Sequence, residues 1–363
     1  MRENSMTTKS IKVIDLFCGI GGLSHGFVQE KGFDVVAGFD IDEACRFPYE
    51  ENNKATFFTK DVREVKSEQL NELFKGADVK VLVGCAPCQP FSTYAFKSPD
   101  KAKAEDEAKW SLLGEFARLI EEVLPEIVSM ENVPGLAKFD KSHVFKEFLG
   151  VLYKHNYFVD YQEIYCPDYG IPQQRKRLVL LASRLSPIKI MDKTHGPNNY
   201  KTVKDAIGDL EPIESGEASP NDPIHRAAKL SDKNLQRIRQ SKQGGTWRDW
   251  SEDLVLECHR KKTGKTYASV YGRMQWNKPA PTMTTFCTGI GNGRFGHPEQ
   301  DRAISLREAA MLQTFPRNYK FVPEGKTPSM THLSTHIGNA VPVELGRVVA
   351  KSIKFHLYNN KKF

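Results

Sequence analysis

The feature that most constrains the fold is a series of short apolar segments, each followed at once by a glycine, an acid or a cysteine. Ile11 to Leu16 leads into a glycine-rich turn, Val35 to Phe39 ends at Asp40, and Val79 to Val83 leads into a pair of cysteines. Apolar runs of this length that are closed by turn residues are typical of buried strands. Because an open α/β sheet carries its chemistry at the carboxyl ends of its strands, the sequence predicts an α/β fold with functional residues after the strands.

The turn after the first segment reads Phe17-Cys18-Gly19-Ile20-Gly21-Gly22. A glycine-rich turn between a strand and a helix allows the backbone to approach a ligand closely, although the GxGG spacing departs from the GxGxxG dinucleotide pattern. Asp40 comes 21 positions after Gly19, and Asp61 follows the third apolar segment. An acid about twenty residues after such a turn can bind ribose hydroxyls, while the alternative for each acid is a helix N-cap.

Cys88 follows the fourth segment and stands between two prolines, in the sequence GCAPCQPFS. Pro87 and Pro90 preset backbone angles, so the loop is predicted to be stiff, and a thiol there can act as a nucleophile if its proton is removed. Cys85 and Cys88 also form a CxxC pair, which leaves a redox site, half a zinc site or a structural cysteine as alternatives. Zinc would need a second ligand pair, but the other cysteines are scattered singly, so no metal is predicted.

Two later segments add an acid and two arginines. The fifth predicted strand, residues 126–130, stops at Glu131, where a positioned carboxyl could donate a proton. Arg175 and Arg177 open another strand, and strand alternation predicts that they share one face, where two guanidinium groups suit phosphate or base contacts. A turn-capping glutamate and a basic edge that discourages aggregation are the alternatives.

Positive charge is concentrated between Arg226 and Lys278, a segment with 13 Lys and Arg against five Asp and Glu in a chain of net charge +7. Cations interleaved with tryptophan and tyrosine indicate a surface for a polyanion, with a solvated basic face as the alternative. The composition shifts towards Pro, Asn, Asp and Gly from Ser186, where we place a domain boundary. The polar first residues, the seven irregularly spaced cysteines and the lack of any apolar run near ~20 residues predict a cytoplasmic protein.

Taken in order, these segments resemble the DNA cytosine-5 methyltransferases of bacterial restriction–modification systems, over nearly the whole chain. DLFCGIGG is similar to the family's S-adenosylmethionine loop, GCAPCQPFS to its nucleophile loop, ENVPGL to its glutamate motif and QQRKR to its arginine motif. LREAAMLQTFP and HIGNAVP are similar to its last two motifs. The region between Ser186 and Ala303 then resembles the variable target-recognition domain. Cys85 lies at a position where we expect the residue to vary within the family.

The resemblance implies a Rossmann-like S-adenosylmethionine-dependent methyltransferase domain, residues 1–186 and 332–363. It also implies a smaller, mostly β or irregular target-recognition domain with a hinge, residues 187–331. The implied cofactor is S-adenosylmethionine and the implied substrate is double-stranded DNA, for a bacterial enzyme whose functional partner is a separately encoded restriction endonuclease. A monomer is the default expectation, because the complex of enzyme and substrate would be asymmetric. The cofactor contacts that the resemblance implies are Phe17, Cys18, Gly19, Ile20, Gly22, Leu23, Asp40, Ile41, Asp61, Val62, Pro87, Asn339 and Ala340.

The resemblance also implies the chemistry of the site. Cys88 is expected to add to carbon 6 of a flipped-out cytosine, and Glu131 to act as the acid at ring nitrogen 3. Asn132 is expected to help position the base, Arg177 to contact its 2-carbonyl oxygen and Arg175 to contact the adjacent backbone. The expected DNA contacts are Gln89, Ser92, Arg248 and Arg273.

Two alternatives to this function stay open at the level of sequence. A transfer-RNA cytosine-5 methyltransferase shares the same motifs, but the long basic segment favours duplex DNA. A catalytically inactive DNA-binding or redox protein is disfavoured because Cys88, Glu131 and Arg177 are retained together. The polar stretch from Thr93 to Lys109 is expected to form a lid beside the thiol, with a surface insert as its alternative.

Overall fold

The computed structural model describes residues 9–87, 112–138, 143–261, 264 and 268–360, and these form two compact units. The first unit runs to Ile164 and also contains Lys176–Asp192 and the chain from Val343 onward. The second unit contains Tyr165–Arg175 and Lys193–Pro342. The predicted division into catalytic and target-recognition domains, at residues 186 and 332, stays a prediction.

A seven-stranded sheet organises the first unit. Its strands are β1 (Ile11–Leu16), β2 (Asp34–Asp40), β3 (Thr56–Thr59), β4 (Val79–Gly84), β5 (Ile127–Asn132), β6 (Phe158–Tyr165) and β7 (Lys176–Ser183). Their order across the sheet is β3-β2-β1-β4-β5-β7-β6. Neighbouring strands from β3 to β5 are parallel, and β7 runs antiparallel to β5. The predicted α/β class is confirmed, but the predicted end of β5 is wrong, because this strand continues through Glu131 and Asn132.

The direction of the chain across the sheet reverses between β1 and β4. From β1 the chain proceeds outward to β2 and β3, and it then returns to form β4 on the other side of β1. Leu16 lies opposite Gly84, and the backbone N–H of Cys85 donates to the Leu16 carbonyl at 3.3 Å. Such a switch point forms the ligand crevice in open α/β sheets. The glycine-rich turn after β1 and the cysteine loop after β4 therefore leave the sheet side by side.

The helices are α1 (Gly22–Gln29), α2 (Arg46–Asn53), α3 (Ser67–Leu73), α4 (112–123), α5 (Gly135–Lys138), α6 (His143–Lys154), α7 (Val203–Ile207), α8 (Asp232–Gln240), α9 (Glu257–Arg260), α10 (Leu306–Leu312), α11 (Met330–Asn339) and α12 (Val343–Asn359). Within the first unit, Phe116 of α4 and Phe148 of α6 pack with strand residues such as Leu82 in one apolar core. No helix in the described part of the chain is long and apolar enough to cross a membrane.

Helices α1 and α12 approach each other closely enough to exclude a side chain between them. A Cβ atom built on Gly26 would lie 2.3 Å from the backbone nitrogen of Arg347 and 2.4 Å from the carbonyl carbon of Gly346. Only glycine fits at such a distance. This contact fixes the C-terminal helix against the helix that follows the glycine-rich turn.

The second unit has little regular structure. It contains α7 to α11, isolated β-bridges and long irregular segments, in agreement with the irregular fold expected there. Its core includes a buried ion pair in which Arg302 binds both carboxylate oxygens of Glu308, at 2.8 and 2.7 Å. Polar contacts of this kind take the place of a sheet in ordering the unit.

Candidate active site

The glycine-rich turn adopts backbone angles that most residues avoid. Phe17, Gly19 and Gly21 have φ angles of 60°, 49° and 85°, which lie in the left-handed region that glycine favours. Gly21 is the N-cap of α1. The turn is tied to β2, because the N–H of Cys18 donates to the Phe39 carbonyl at 3.1 Å. Its shape is therefore set by the end of the neighbouring strand.

Asp40 holds the turn by its side chain. Its Oδ2 accepts the backbone N–H of Gly19 at 2.8 Å, and its Oδ1 accepts that of Asp42 at 3.0 Å. Burial raises the pKa of Asp40 above its ordinary value. Each oxygen retains a second lone pair, which could accept a hydroxyl proton. The structure thus brings together two of the predicted cofactor residues, Gly19 and Asp40.

The residue after Asp40 is an exposed apolar side chain, since Ile41 has 70% of its surface accessible. By contrast, Ile20, Leu23, Val62 and Cys18 are buried, so their side chains contribute to the packing beneath the turn. The exposed face of Ile41 is suited to contact with a planar ring. Pro87, at the end of the described part of the nucleophile loop, is also exposed.

Asp61 has the N-cap geometry that was the alternative to ligand binding. Its carboxylate accepts the backbone N–H of Arg63 at 2.9 Å and pairs with the Arg63 guanidinium at 2.6 Å. That guanidinium holds the pKa of Asp61 below its ordinary value. A ligand hydroxyl would have to share this carboxylate with Arg63.

Asp15 is a buried acid that the sequence reasoning missed. It lies in β1, just before the glycine-rich turn, and accepts a hydrogen bond from Ser24 Oγ at 2.7 Å. Burial raises its pKa to about 7, and its Oδ1 accepts no hydrogen bond from the described residues. The signal in the sequence was a charged residue inside an otherwise apolar strand.

Glu131 occupies the centre of the site, at the carboxyl end of β5. Only 4% of its surface is exposed. Its Oε2 accepts a hydrogen bond from the Cys85 thiol at 2.8 Å, and Arg177 Nε lies 3.0 Å from its Oε1. The Arg177 N–H is not directed at Oε1, and within the described residues no hydrogen bond reaches that oxygen. The carboxyl group of Glu131 is therefore fixed through Oε2, and its Oε1 is available to a ligand.

Asn132, the next residue, holds the start of the cysteine loop that follows β4. Its Nδ2 donates to the Ala86 carbonyl at 3.1 Å, and its Oδ1 accepts the Val133 N–H at 2.8 Å. Ala86 is two residues before Cys88. The predicted residues Cys88, Gln89 and Ser92, and the expected lid from Thr93 to Lys109, lie outside the described residues.

The two arginines of the QQRKR segment have separate surroundings. Arg177 belongs to the first unit, where it pairs with Glu131. Arg175 belongs to the second unit and is buried there, donating to the carbonyls of Met283, Gly338 and Ala340 at 3.2 to 3.4 Å. The expectation that both arginines serve one surface is wrong for Arg175, because its guanidinium binds backbone within its own unit.

Asn339 and Ala340 lie at the end of α11 in the second unit. Asn339 is the last helical residue, and Ala340 closes the helix by donating its N–H to the His336 carbonyl at 3.0 Å. The Ala340 carbonyl accepts hydrogen bonds from Arg175 and from Gln313 Nε2. The backbone of this turn, which is predicted to contact the cofactor, is therefore held by hydrogen bonds.

The basic segment of the second unit separates into buried and exposed cations. Arg273 is only 5% exposed, and its guanidinium binds four backbone carbonyls and the carboxylate of Asp301. The predicted DNA contact of Arg273 is therefore corrected to a structural role. Arg237 is also buried, beside Trp250 and Tyr271.

Eight of the described cations in this segment, which we call the exposed basic set, have exposed side chains, and one of them, Arg239, pairs with Asp301 at 3.2 Å. Within it, the predicted DNA contact Arg248 lies over the ring of Trp247, with 5.1 Å from its guanidinium carbon to the ring centroid. The ring face attracts the guanidinium electrostatically, and the Arg248 side chain is exposed. The exposed basic set comprises Lys229, Lys233, Arg239, Lys242, Arg248, Arg260, Lys261 and Lys278.

The described residues thus place the glycine-rich turn, the buried Glu131 and Asn132 at strand ends of one α/β sheet. A family model for C-5 cytosine-specific DNA methylases matches residues 11–355, so the chain belongs to this family of DNA methyltransferases. The match supports DNA over the transfer-RNA alternative.

Individual relatives show to which kind of methyltransferase within this family the chain is similar. It is 56% identical to the Type II methylase M.HgiDII of Herpetosiphon aurantiacus, over 94% of each chain. It is 31% identical to the Type II methyltransferase M1.BsuMI of Bacillus subtilis, over 96% of this chain and 81% of the relative. A solved structure of a protein encoded within an Escherichia coli prophage is similar in fold, with a TM-score of 0.73 at 23% identity, covering 96% of this chain and all of the other. The chain is thus a DNA cytosine-5 methyltransferase of the Type II kind.

Proposed function

We propose that the enzyme transfers a methyl group from S-adenosylmethionine to carbon 5 of a cytosine that is flipped out of duplex DNA, through a covalent bond between Cys88 and carbon 6. The observation that carries the proposal is the buried Glu131 at the end of β5, held by Cys85 and Arg177. The neighbouring strand β4 leads directly towards Cys88. An acid and a nucleophile are thereby supplied from adjacent strand ends.

The residues around the glycine-rich turn fit the proposed methyl donor. The free lone pairs of Asp40 suit ribose hydroxyls, and the exposed Ile41 suits one face of the adenine ring. Bound S-adenosylmethionine supplies an electrophilic methyl group. Gly19 keeps the turn open to the ligand, since it carries no side chain. The other cofactor contacts named from the sequence remain part of this proposal.

The residue types suit the chemistry because carbon 5 of cytosine is a poor nucleophile. Addition of the Cys88 thiolate to carbon 6 breaks the 5,6 double bond and makes carbon 5 enamine-like, while Glu131, in its protonated form, gives its proton to ring nitrogen 3 and becomes a carboxylate. Carbon 5 then accepts the methyl group as the bond between that group and the donor sulfur breaks, which leaves the donor as a neutral thioether. Loss of the carbon-5 proton to a base restores the 5,6 double bond and expels Cys88 as a thiolate, and the proton on ring nitrogen 3 returns to Glu131.

Two other residues would position these groups. The hydrogen bond from Asn132 to the Ala86 carbonyl steadies the backbone that leads into Cys88, and Arg177 would contact the 2-carbonyl oxygen of the base. The cytosine has to leave the stacked duplex, at a cost of a few kcal/mol. The exposed basic set would offset part of that cost by binding phosphates.

The biological role that we propose is protection of host DNA from a separately encoded restriction endonuclease, by an enzyme that acts as a monomer. Two relatives that carry the Type II designation support this role. Such an enzyme methylates one cytosine within a fixed sequence, and the second unit would read that sequence.

Bisulfite sequencing of DNA from cells that express the protein tests the proposal. We expect protected cytosines at one recurring sequence with the wild type and none with Cys88→Ser, which should still bind duplex DNA. Methylation by Cys88→Ser would refute the covalent mechanism. Transfer to transfer RNA alone would refute the DNA substrate.

A further inference from the structure

Cys85 contacts the proposed catalytic acid but has no part in the chemistry described above. It is the first residue after β4, and in the parallel pairing of β4 with β5 the preceding residue, Gly84, lies opposite Met130. Glu131 follows Met130, so the register of the sheet brings Cys85 beside Glu131. The Cys85 Sγ atom lies 2.8 Å from Glu131 Oε2, and the thiol donates a hydrogen bond to it.

We propose that Cys85 is a positioning residue, whose S–H fixes the rotation of the Glu131 carboxylate. This inference rests on the proposed role of Glu131. Arg177 lies 3.0 Å from Oε1 but directs no hydrogen bond at it, so the ion pair alone leaves the plane of the carboxylate free to turn. The hydrogen bond at Oε2 selects one orientation, in which Oε1 is the oxygen that accepts no hydrogen bond from the described residues and is left for the base.

The surroundings make this contact matter more than it would in water. Glu131 is 4% exposed, so solvent offers few donors in place of the thiol, and a buried carboxylate that loses a donor becomes costly. A reacting group held even slightly out of place loses much of its rate. Cys85 therefore affects the acid by its donor proton, which serine can supply and alanine cannot.

The test compares Cys85→Ala with Cys85→Ser in single-turnover methyl transfer at saturating DNA and S-adenosylmethionine. We expect Cys85→Ala to reduce the rate constant about tenfold, the effect of one hydrogen bond to a charged group. Dissociation constants for DNA and donor should stay at the wild-type values. Cys85→Ser should recover most of the rate, because its hydroxyl donates to the same oxygen.

A double-mutant cycle distinguishes positioning from packing. In a Glu131→Ala background, adding Cys85→Ala should leave the residual rate unchanged, because the group that Cys85 acts on is gone. A tenfold loss of rate in the Glu131→Ala background as well would overturn the inference. In the otherwise wild-type background, an unchanged rate in Cys85→Ala would also overturn it, and so would a rate in Cys85→Ser no higher than that of Cys85→Ala.

A spectroscopic measurement tests the contact without turnover. Subtracting the Raman spectrum of Cys85→Ser from that of wild type isolates the S–H stretching band of Cys85. This band should lie at lower frequency than that of a thiol in water, because a carboxylate is a strong acceptor. A band at or above the frequency of the thiol in water would overturn the inference even if Cys85→Ala failed to fold. If wild type transferred no methyl group, the proposed function would fall and this inference with it, whereas active wild type with equally active Cys85→Ala would refute the inference alone.

Discussion

Replacing Arg177 by methionine should destabilise the first unit by leaving the Glu131 carboxylate buried without its cation. Removing one partner of a buried ion pair costs about 3–5 kcal/mol. Because the Arg177 side chain is 15% exposed and Cys85 still donates to Oε2, we expect the lower end, about 3 kcal/mol. Adding Glu131→Gln removes the charge, so the double variant should be about 2 kcal/mol more stable than Arg177→Met alone.

Amide hydrogen exchange of the β5 and β7 strands is the suitable assay, since unfolding of a chain with two compact units need not be two-state. A loss of about 3 kcal/mol corresponds to roughly 150-fold faster exchange in these strands. Arg184→Met is the matched control, because the Arg184 guanidinium is exposed and donates to the Leu124 carbonyl, so its loss should cost about 0.5 kcal/mol or less. Equal exchange in Arg177→Met and the double variant would refute the reasoning.

Three further predictions concern packing, pH and salt. Gly26→Ala should destabilise the first unit by about 1–3 kcal/mol, measured by amide hydrogen exchange in α1 and α12, because its Cβ would meet the α12 backbone. Gly114→Ala in α4, with nothing within 4 Å of its Cβ, should cost nothing, and equal effects would contradict the contact. The pKa of Asp15 is raised from 3.8 to about 7, so the native protein binds this proton more tightly than the unfolded chain does. Wild type should therefore lose stability relative to Asp15→Asn as the pH rises from 3.8 to about 7, by at most about 4 kcal/mol. A stability difference between the two that does not change with pH would argue against a buried proton. Alanine at three members of the exposed basic set should reduce the slope of log affinity for duplex DNA against log salt by up to about 3, and an unchanged slope would place the phosphate contacts elsewhere.

The strand ends could be predicted from sequence because their signals are local. Apolar runs closed by turn residues gave β1, β2 and β4 within one residue of their ends, and the order of such runs indicated an α/β sheet. Asp40 and Glu131 were identified because an acid that closes an apolar run can be recognised from the sequence alone. The hydrogen bond from Gly19 to Asp40 then follows from the sheet order.

The partners of the arginines could not be predicted, because charge counts contain no information about burial. Arg273 looked like any other cation of the basic segment, yet its acceptors include carbonyls 24 to 35 positions away in the chain. Arg175 binds carbonyls more than 100 positions away. Such contacts depend on the path of irregular backbone, which has no periodicity that a sequence reader can use.

Asp15 and Cys85 were underestimated for a related reason. Each lies in or beside a strand whose apolar neighbours explain the local structure, so neither was needed to predict the fold. Their significance appears only when the fold places Ser24 of α1 beside Asp15 and the register of β4 with β5 places Cys85 beside Glu131. A polar side chain within an apolar strand is therefore worth marking as a candidate before its partner is known.

The central claim, that Cys88 bonds covalently to a flipped cytosine, can be tested by trapping the adduct. Fluorine at carbon 5 cannot leave as a proton does, so duplex DNA with 5-fluorocytosine at the target should remain attached to the enzyme once the methyl group has been transferred. With S-adenosylmethionine present, we expect a crosslinked peptide that maps to Cys88 in wild type and no crosslink with Cys88→Ser. An adduct at another residue, or the same adduct yield with Cys88→Ser, would contradict the claim.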